Sequence, residues 1–163
     1  MKILRTTYFS LGTNLGDKLQ NLQNAVNEIA ISIGDITALS PVYQTKSWGF
    51  EAADFLNIAI KVQTAYSPEV LLEKTQHLEL KLGRAKLQTA QYESRIIDID
   101  ILLYGNNVVK QQQLEIPHPY ITERDFVIVP LLELNQEIII PKKGELTKFL
   151  NKNTNESSII TKI

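Results

Sequence analysis

The chain has 163 residues, 44% of them hydrophobic and 21% charged, with a formal net charge of −1 and no cysteine. That length fits a single domain over residues 1–163 with a real core. The near-neutral charge offers no basic field for nucleic acid, and the missing thiols exclude disulfides, thiolate metal sites and a cysteine nucleophile. The start, "MKILRTTYFSLG", has neither a long apolar run nor a small-residue cleavage site, and no stretch approaches a membrane span. A cytoplasmic protein with no membrane or nucleic-acid partner is expected.

In chain order, Thr7 to Leu11 reads as a short strand that runs into "GTNLGDK". This is not a phosphate-binding P-loop, because the glycine spacing and the Lys-Ser/Thr pair are wrong; a tight turn capped by Thr13 or Asn14 is the simpler reading. A helix follows, with Leu15, Leu19, Leu22, Val26, Ile29 and Ile33 in steps of four and three, one apolar stripe that ends at Gly34. "DITALSPVYQT" predicts a second strand, with Pro41 favouring an edge or a bulge. "FLNIAIKVQT" alternates cleanly: Leu56, Ile58, Ile60 and Val62 on one face, Asn57, Ala59, Lys61 and Gln63 on the other.

Ser67 then caps a second helix with Pro68 at its first position and Glu69 in its first turn; Leu71, Leu72, Thr75, Leu78 and Leu82 form its buried side, and Gly83 closes it. Residues 84–94 read as a polar loop. "SRIIDIDILLY" is the next strand, "YGNNVV" turns into another short one, and the tail holds one or two short helices and a strand. Strand, helix, strand, strand, helix, strand is the order of a ferredoxin-like α+β domain: an antiparallel sheet with both helices on one face, leaving the C-terminal segment to cover part of the other.

The strand "SRIIDIDILLY" carries two acids in an apolar run. Alternation places Ile97, Ile99, Ile101 and Leu103 on one face and Ile96, Asp98, Asp100, Leu102 and Tyr104 on the other. The carboxylates then stand roughly 7 Å apart and repel by about 2–3 kcal/mol at an effective dielectric near 20. A solvated face or a pair between Asp98 and Arg95 would relieve this. So would a divalent cation, and two carboxylates with no thiolate or second histidine nearby suit Mg²⁺, which keeps water and phosphate oxygens as its other ligands. Arg84, Lys86 and Arg95 are either solvated or placed to meet a metal-bound phosphate. His118, between Pro117 and Pro119, either closes a turn or donates to a phosphate. Gln76 and Glu79 share a helix face, and His77 is expected at the surface. Among the aromatic residues Tyr43, Trp48, Phe50, Phe55 and Phe126, two facing across a gap would make a slot for a flat ring, whose amide edge Asn57 suits.

Together "SLGTNLGD", "SPVYQT", "FLN", "TQHLELKLGR", "SRIIDIDILLYG" and "IPHPYITERDFVIVPL" resemble the 6-hydroxymethyl-7,8-dihydropterin pyrophosphokinases of folate biosynthesis over nearly the whole chain. The resemblance implies transfer of pyrophosphate from ATP to the pterin hydroxymethyl group by a protein expected to be monomeric. It further implies that Asp98 and Asp100 hold two Mg²⁺ ions and that Arg84 and Arg95 contact the phosphates. Leu72, Gln76, Glu79, Lys86, Ile101, His118 and Arg124 would then bind ATP. Phe55 and Phe126 would sandwich the pterin, with Asn57, Thr45 and the "GTN" turn beside it. Two departures stand out: "QTAQYESR" puts Tyr92 where the family carries Trp, which places Tyr92 on the pterin side, and Lys46 replaces a common Pro. A metal-dependent nuclease would need more acids or a basic stripe, and an RNA-reading sheet would carry paired aromatics where this one has aspartates.

Overall fold

The structure, a computed structural model, describes residues 2–46, 53–83, 96–150 and 161–162. Strand β1 (Arg5–Thr13) leads through a turn to helix α1 (Lys18–Ser32), and β2 (Asp35–Leu39) and β3 (Tyr43–Thr45) follow. Then come β4 (Phe55–Thr64), α2 (Pro68–Lys81), β5 (Asp98–Tyr104), β6 (Val109–Lys110) and β7 (Glu115–Ile116). Helix α3 (Asp125–Leu134), β8 (Ile139–Ile140), β9 (Gly144–Glu145), a 3₁₀ turn at Leu146–Phe149 and β10 (Thr161–Lys162) complete the described elements.

The main sheet runs β10-β3-β4-β1-β5, with β2 also paired to β4 and every pairing antiparallel. Taking β2 and β3 as one interrupted strand gives the ferredoxin-like order expected from the element pattern. The interruption falls at Ser40-Pro41-Val42, as a proline without an N–H requires. Ser40 Oγ compensates by accepting from Ala59 N at 2.9 Å.

Leu56, Ile58, Ile60 and Val62 of β4 join Phe9, Leu11, Leu22, Ile29, Leu71 and Leu78 in the larger core, between sheet and α1/α2. Each such side chain contributes about 1.5–3 kcal/mol when fully buried. The opposite face carries a second core, in which Tyr8, Ala59, Leu102 and Leu103 meet Val127, Ile128 and Leu131 of α3. The C-terminal segment therefore covers part of the sheet, and Tyr43 OH and Lys162 Nζ both donate to Glu133 Oε1 on α3.

Three local expectations are corrected. Helix α1 starts later than its apolar stripe suggested: Asp17, not Thr13 or Asn14, is the N-cap, accepting from Gln20 N at 3.1 Å, and Gly16 supplies the turn at φ +73°. Leu15 and Leu19 are consequently exposed, while Ala25 takes a place in the core. The diacid strand begins at Asp98, and its pairing with β1 shifts register between Tyr8 and Phe9, leaving Leu102 as an extra residue. That bulge inverts the alternation beyond it. Leu103 joins the α3-side core and Tyr104 the helix-side core, the reverse of strict period two. Helix α2 matches expectation, with Ser67 Oγ accepting from Val70 N, Pro68 first, and Gly83 beyond its end at φ +112°.

Candidate active site

On the α3 side of the sheet, strand register sets out two rows of residues. Tyr43, Asn57, Gly12 and Asp98 lie side by side across β3, β4, β1 and β5; one step along, Ala59, Ser10 and Asp100 do the same. Neighbouring strands are about 4.8 Å apart, so Asn57 and Asp98 are roughly 10 Å apart with Gly12 between them. Gly12 has no side chain to fill that gap. A Cβ there would lie 3.0 Å from Asn57 Oδ1 and 3.8 Å from the Phe55 ring.

The Asn57 end is dry and tied. Asn57 is 3% exposed, and its Nδ2 donates to Thr45 Oγ1 at 3.0 Å, also buried. Phe55 shares the face of Asn57 by alternation and is half-buried; Phe126, in the first turn of α3, packs at the margin of the second core. Asn14 Nδ2 donates to Ala53 O at 3.3 Å and Lys18 Nζ to Asp54 O at 2.9 Å, so the "GTN" turn holds the chain entering β4.

The diacid end differs. Asp98 and Asp100 are half-exposed and point to the same face. His118 Nε2 lies 4.0 Å from Asp100 Oδ2. The histidine is pinned by its backbone N–H donating to Leu102 O at 3.0 Å, while its Nδ1 accepts from Tyr120 N at 3.1 Å. With Nδ1 an acceptor, the neutral ring carries its proton on Nε2, the atom nearest the diacid. Burial pushes the imidazole down to about 4, the Arg124 charge acts in the same direction, and Asp98 opposes them. Arg124 stacks over Tyr120 at 4.5 Å and lies 5.7 Å from the centre of Phe126, linking the two ends.

Beside Asp100 a cavity of about 310 Å³ is lined by Leu72, Thr75, Ile99 and Ile101 together with Asp100 and His118. Its outer wall is Gln111–Glu115, a stretch with no role in the sequence reading; the polar run "KQQQLE" just ahead of Pro-His-Pro was the available signal. Gln111 Nε2 donates to Glu69 Oε1 at 2.8 Å, fixing that wall to α2. Gln76 is exposed, whereas Glu79 is buried, so the two do not share an environment as their spacing suggested. Glu79 Oε2 accepts from Ile99 N at 3.0 Å, between the two aspartates. Arg84, Lys86, Tyr92 and Arg95 lie outside the described residues, as do Trp48 and Phe50.

The two carboxylates suit a hard divalent cation: both are oxygen donors on one face and half-exposed, and Asp100 lines the cavity. Among the described residues no group of three or more His, Asp or Glu could hold a metal. Two carboxylates with the other positions left to water and phosphate is how Mg²⁺ is commonly bound.

The family model for 7,8-dihydro-6-hydroxymethylpterin-pyrophosphokinase (HPPK) matches residues 8–136. The chain belongs to this family. It is 37% identical over 153 residues to the Aquifex aeolicus 2-amino-4-hydroxy-6-hydroxymethyldihydropteridine pyrophosphokinase, covering 93% of this chain and 94% of that protein. The Haemophilus influenzae enzyme of the same name is 34% identical, covering 90% and 92%. A solved Plasmodium falciparum HPPK-DHPS chain superposes with a TM-score of 0.79 at 15% identity over 100% of this chain and 47% of that one, which establishes shared fold alone. This chain thus spans about half the length of that HPPK-DHPS chain. As a pyrophosphokinase of this family, it transfers pyrophosphate to hydroxymethyldihydropterin in folate biosynthesis. Among the described residues no helix is long and apolar enough to cross a membrane.

Proposed function

We propose that the chain transfers the terminal pyrophosphate of ATP to 6-hydroxymethyl-7,8-dihydropterin in a Mg²⁺-dependent reaction, as a single-domain cytoplasmic monomer. The hydroxymethyl oxygen bonds to the β-phosphorus of ATP as the bond from that phosphorus to the α–β bridging oxygen breaks. The products are the pterin diphosphate, AMP and the hydroxyl proton. The observation that carries this reading is the pair Asp98 and Asp100 on the same sheet face as Asn57, across the gap at Gly12.

The chain's own residues align the partners. Asn57, oriented by Thr45, meets the amide edge of the pterin; Phe55 and Phe126 stack on its ring, joined by Tyr92, which lies outside the described residues. Leu72 and Ile101 support the nucleoside in the cavity, and Gln76, exposed on α2, joins in binding the nucleotide. His118 donates Nε2–H as a neutral group, and Arg124 adds a cation, joined by Arg84, Lys86 and Arg95. Asp98 and Asp100 would hold two Mg²⁺, which supply charge neutralisation for the phosphate oxygens. Alignment and charge neutralisation are what phosphoryl transfer chiefly demands, so the absence of a nucleophilic side chain from this set is in keeping.

The test is product formation. Protein mixed with ATP, Mg²⁺ and the hydroxymethyl-dihydropterin is expected to yield AMP and pterin diphosphate in equal amounts, and neither without pterin or metal. AMP formed without pterin would make the protein a hydrolase, and no AMP at all would remove the activity.

A further inference from the structure

We infer that Glu79 is a positioning residue: it sets the two aspartates for their cation by anchoring the backbone amide of Ile99, the residue between them. The inference rests on the reading of Asp98 and Asp100 as the magnesium-holding pair.

Leu72, Thr75 and Glu79 follow one another on α2 at steps of three and four, so all three face β5. Leu72 and Thr75 line the cavity with Ile99 and Ile101. Glu79, one turn on, is 5% exposed. A buried carboxylate is costly unless its oxygens meet donors, so its position in this stripe calls for a specific partner. One partner is the Ile99 N–H, at 3.0 Å from Oε2.

The location of that amide gives the bond its significance. Among the described residues β5 is the last strand of the sheet, paired only to β1. In an antiparallel ladder every second residue turns its N–H and C=O away from the partner strand, and at an edge those groups have no strand to receive them. Ile99 is such a residue, and its N–H leaves the edge to meet Glu79. Its neighbours Asp98 and Asp100 pair with Gly12 and Ser10 on β1.

Downstream, the bulge at Leu102 breaks the regular ladder within two residues of Asp100. The charge-assisted bond from α2 is therefore a fixed point on the open side of the strand, at the centre of the diacid. A roll of the edge strand there would swing the two carboxylates out of step, and a Mg²⁺ site tolerates little misplacement of its oxygens. Glu79 thus acts on the cation through Ile99, from the helix face of the sheet.

The experiment compares E79L, which removes the acceptor, with E79Q, whose amide oxygen still accepts from Ile99 N–H. Two readouts are used: hydrogen exchange of the Ile99 amide in ligand-free protein, and the Mg²⁺ concentration giving half-maximal AMP formation. In E79L, Ile99 exchange is expected to accelerate at least tenfold and the Mg²⁺ requirement to rise at least tenfold. Pterin affinity, measured without nucleotide, stays within about twofold. E79Q recovers most of both losses.

Unchanged Ile99 exchange in E79L, or an unchanged Mg²⁺ requirement, would overturn the inference. So would an E79Q as impaired as E79L, since the carboxylate charge rather than the hydrogen bond would then be at work. Should E79L fail to fold, E79Q and the wild type decide: Ile99 in wild type is expected to exchange as slowly as the β1–β4 ladder, and exchange at the rate of an unbonded edge amide overturns the claim. A wild type that forms no AMP would instead defeat the functional reading, and the exchange comparison would still judge the role of Glu79.

Discussion

The two ends of the polar sheet face are built on opposite principles. At one end Asn57 is almost wholly buried and already bonded to Thr45, with Gly12 leaving a shaped gap beside it. At the other, Asp98 and Asp100 stand half-exposed, and Asp100 lines a cavity together with a neutral His118. In the proposed reading the first end is finished in the protein alone and would read shape and hydrogen-bond pattern. The second is a pair of carboxylates whose arrangement a bound cation would complete. A protein joining a rigid heterocycle to a flexible polyanion needs both, because the heterocycle rewards preorganisation while the polyanion brings its own counter-ions.

The sharpest way to break this comparison is at the diacid. Asp98→Ala and Asp100→Ala are each expected to lower AMP formation by at least about 100-fold, the scale of losing a transition-state electrostatic group. Circular dichroism and pterin affinity should remain close to wild type. If pterin binding fell in step with turnover, the two ends would not be separable.

Asn57→Ala addresses the other end. Losing a buried hydrogen-bonding group costs about 1–3 kcal/mol, so pterin binding, followed by calorimetry, should weaken roughly 5- to 150-fold while the Mg²⁺ requirement stays put. Gly12→Ala is milder. Its Cβ would lie 3.0 Å from Asn57 Oδ1, so the amide must shift by a few tenths of an ångström, and the pterin KM should rise several-fold with kcat little changed.

The smallest effect concerns pH. The His118 imidazole titrates near 4 in the folded protein against an ordinary 6.5, so on acidification the unfolded chain takes up this proton first. The histidine's contribution to stability is complete above pH 6.5 and is lost as pH falls toward 4, by about 3 kcal/mol at most. Chemical denaturation of metal-free protein from pH 7 to pH 4, with His118→Gln as control, measures it. Equal acid sensitivity in both proteins would show that His118 is not held neutral.

How far the sequence revealed this arrangement depended on the kind of signal. The β4 alternation and the Ser67-Pro68 cap of α2 are local patterns with one physical reading, and both appear as expected. The start of α1 was misplaced because Thr13, Asn14 and Asp17 all favour caps within five residues, and only the positive φ of Gly16 selects the last of them. The bulge at Leu102 exchanges Leu103 and Tyr104 between faces and leaves no trace in composition, since both sides are apolar. The bond from Ile99 to Glu79 could not be read from the sequence because one partner is a backbone amide, a group nearly every residue has and no sequence pattern marks. The diacid was conspicuous for the opposite reason: charges in an apolar strand have few innocent explanations.

The most direct test of the central claim is a crystal structure of the protein with Mg²⁺, a non-hydrolysable ATP analogue and the pterin. The account predicts metal density at Asp98 and Asp100, with their carboxylate oxygens about 2.0–2.1 Å from the ion, and the pterin across Gly12 against Asn57. Ions bound elsewhere, with both aspartates turned to solvent, would contradict it.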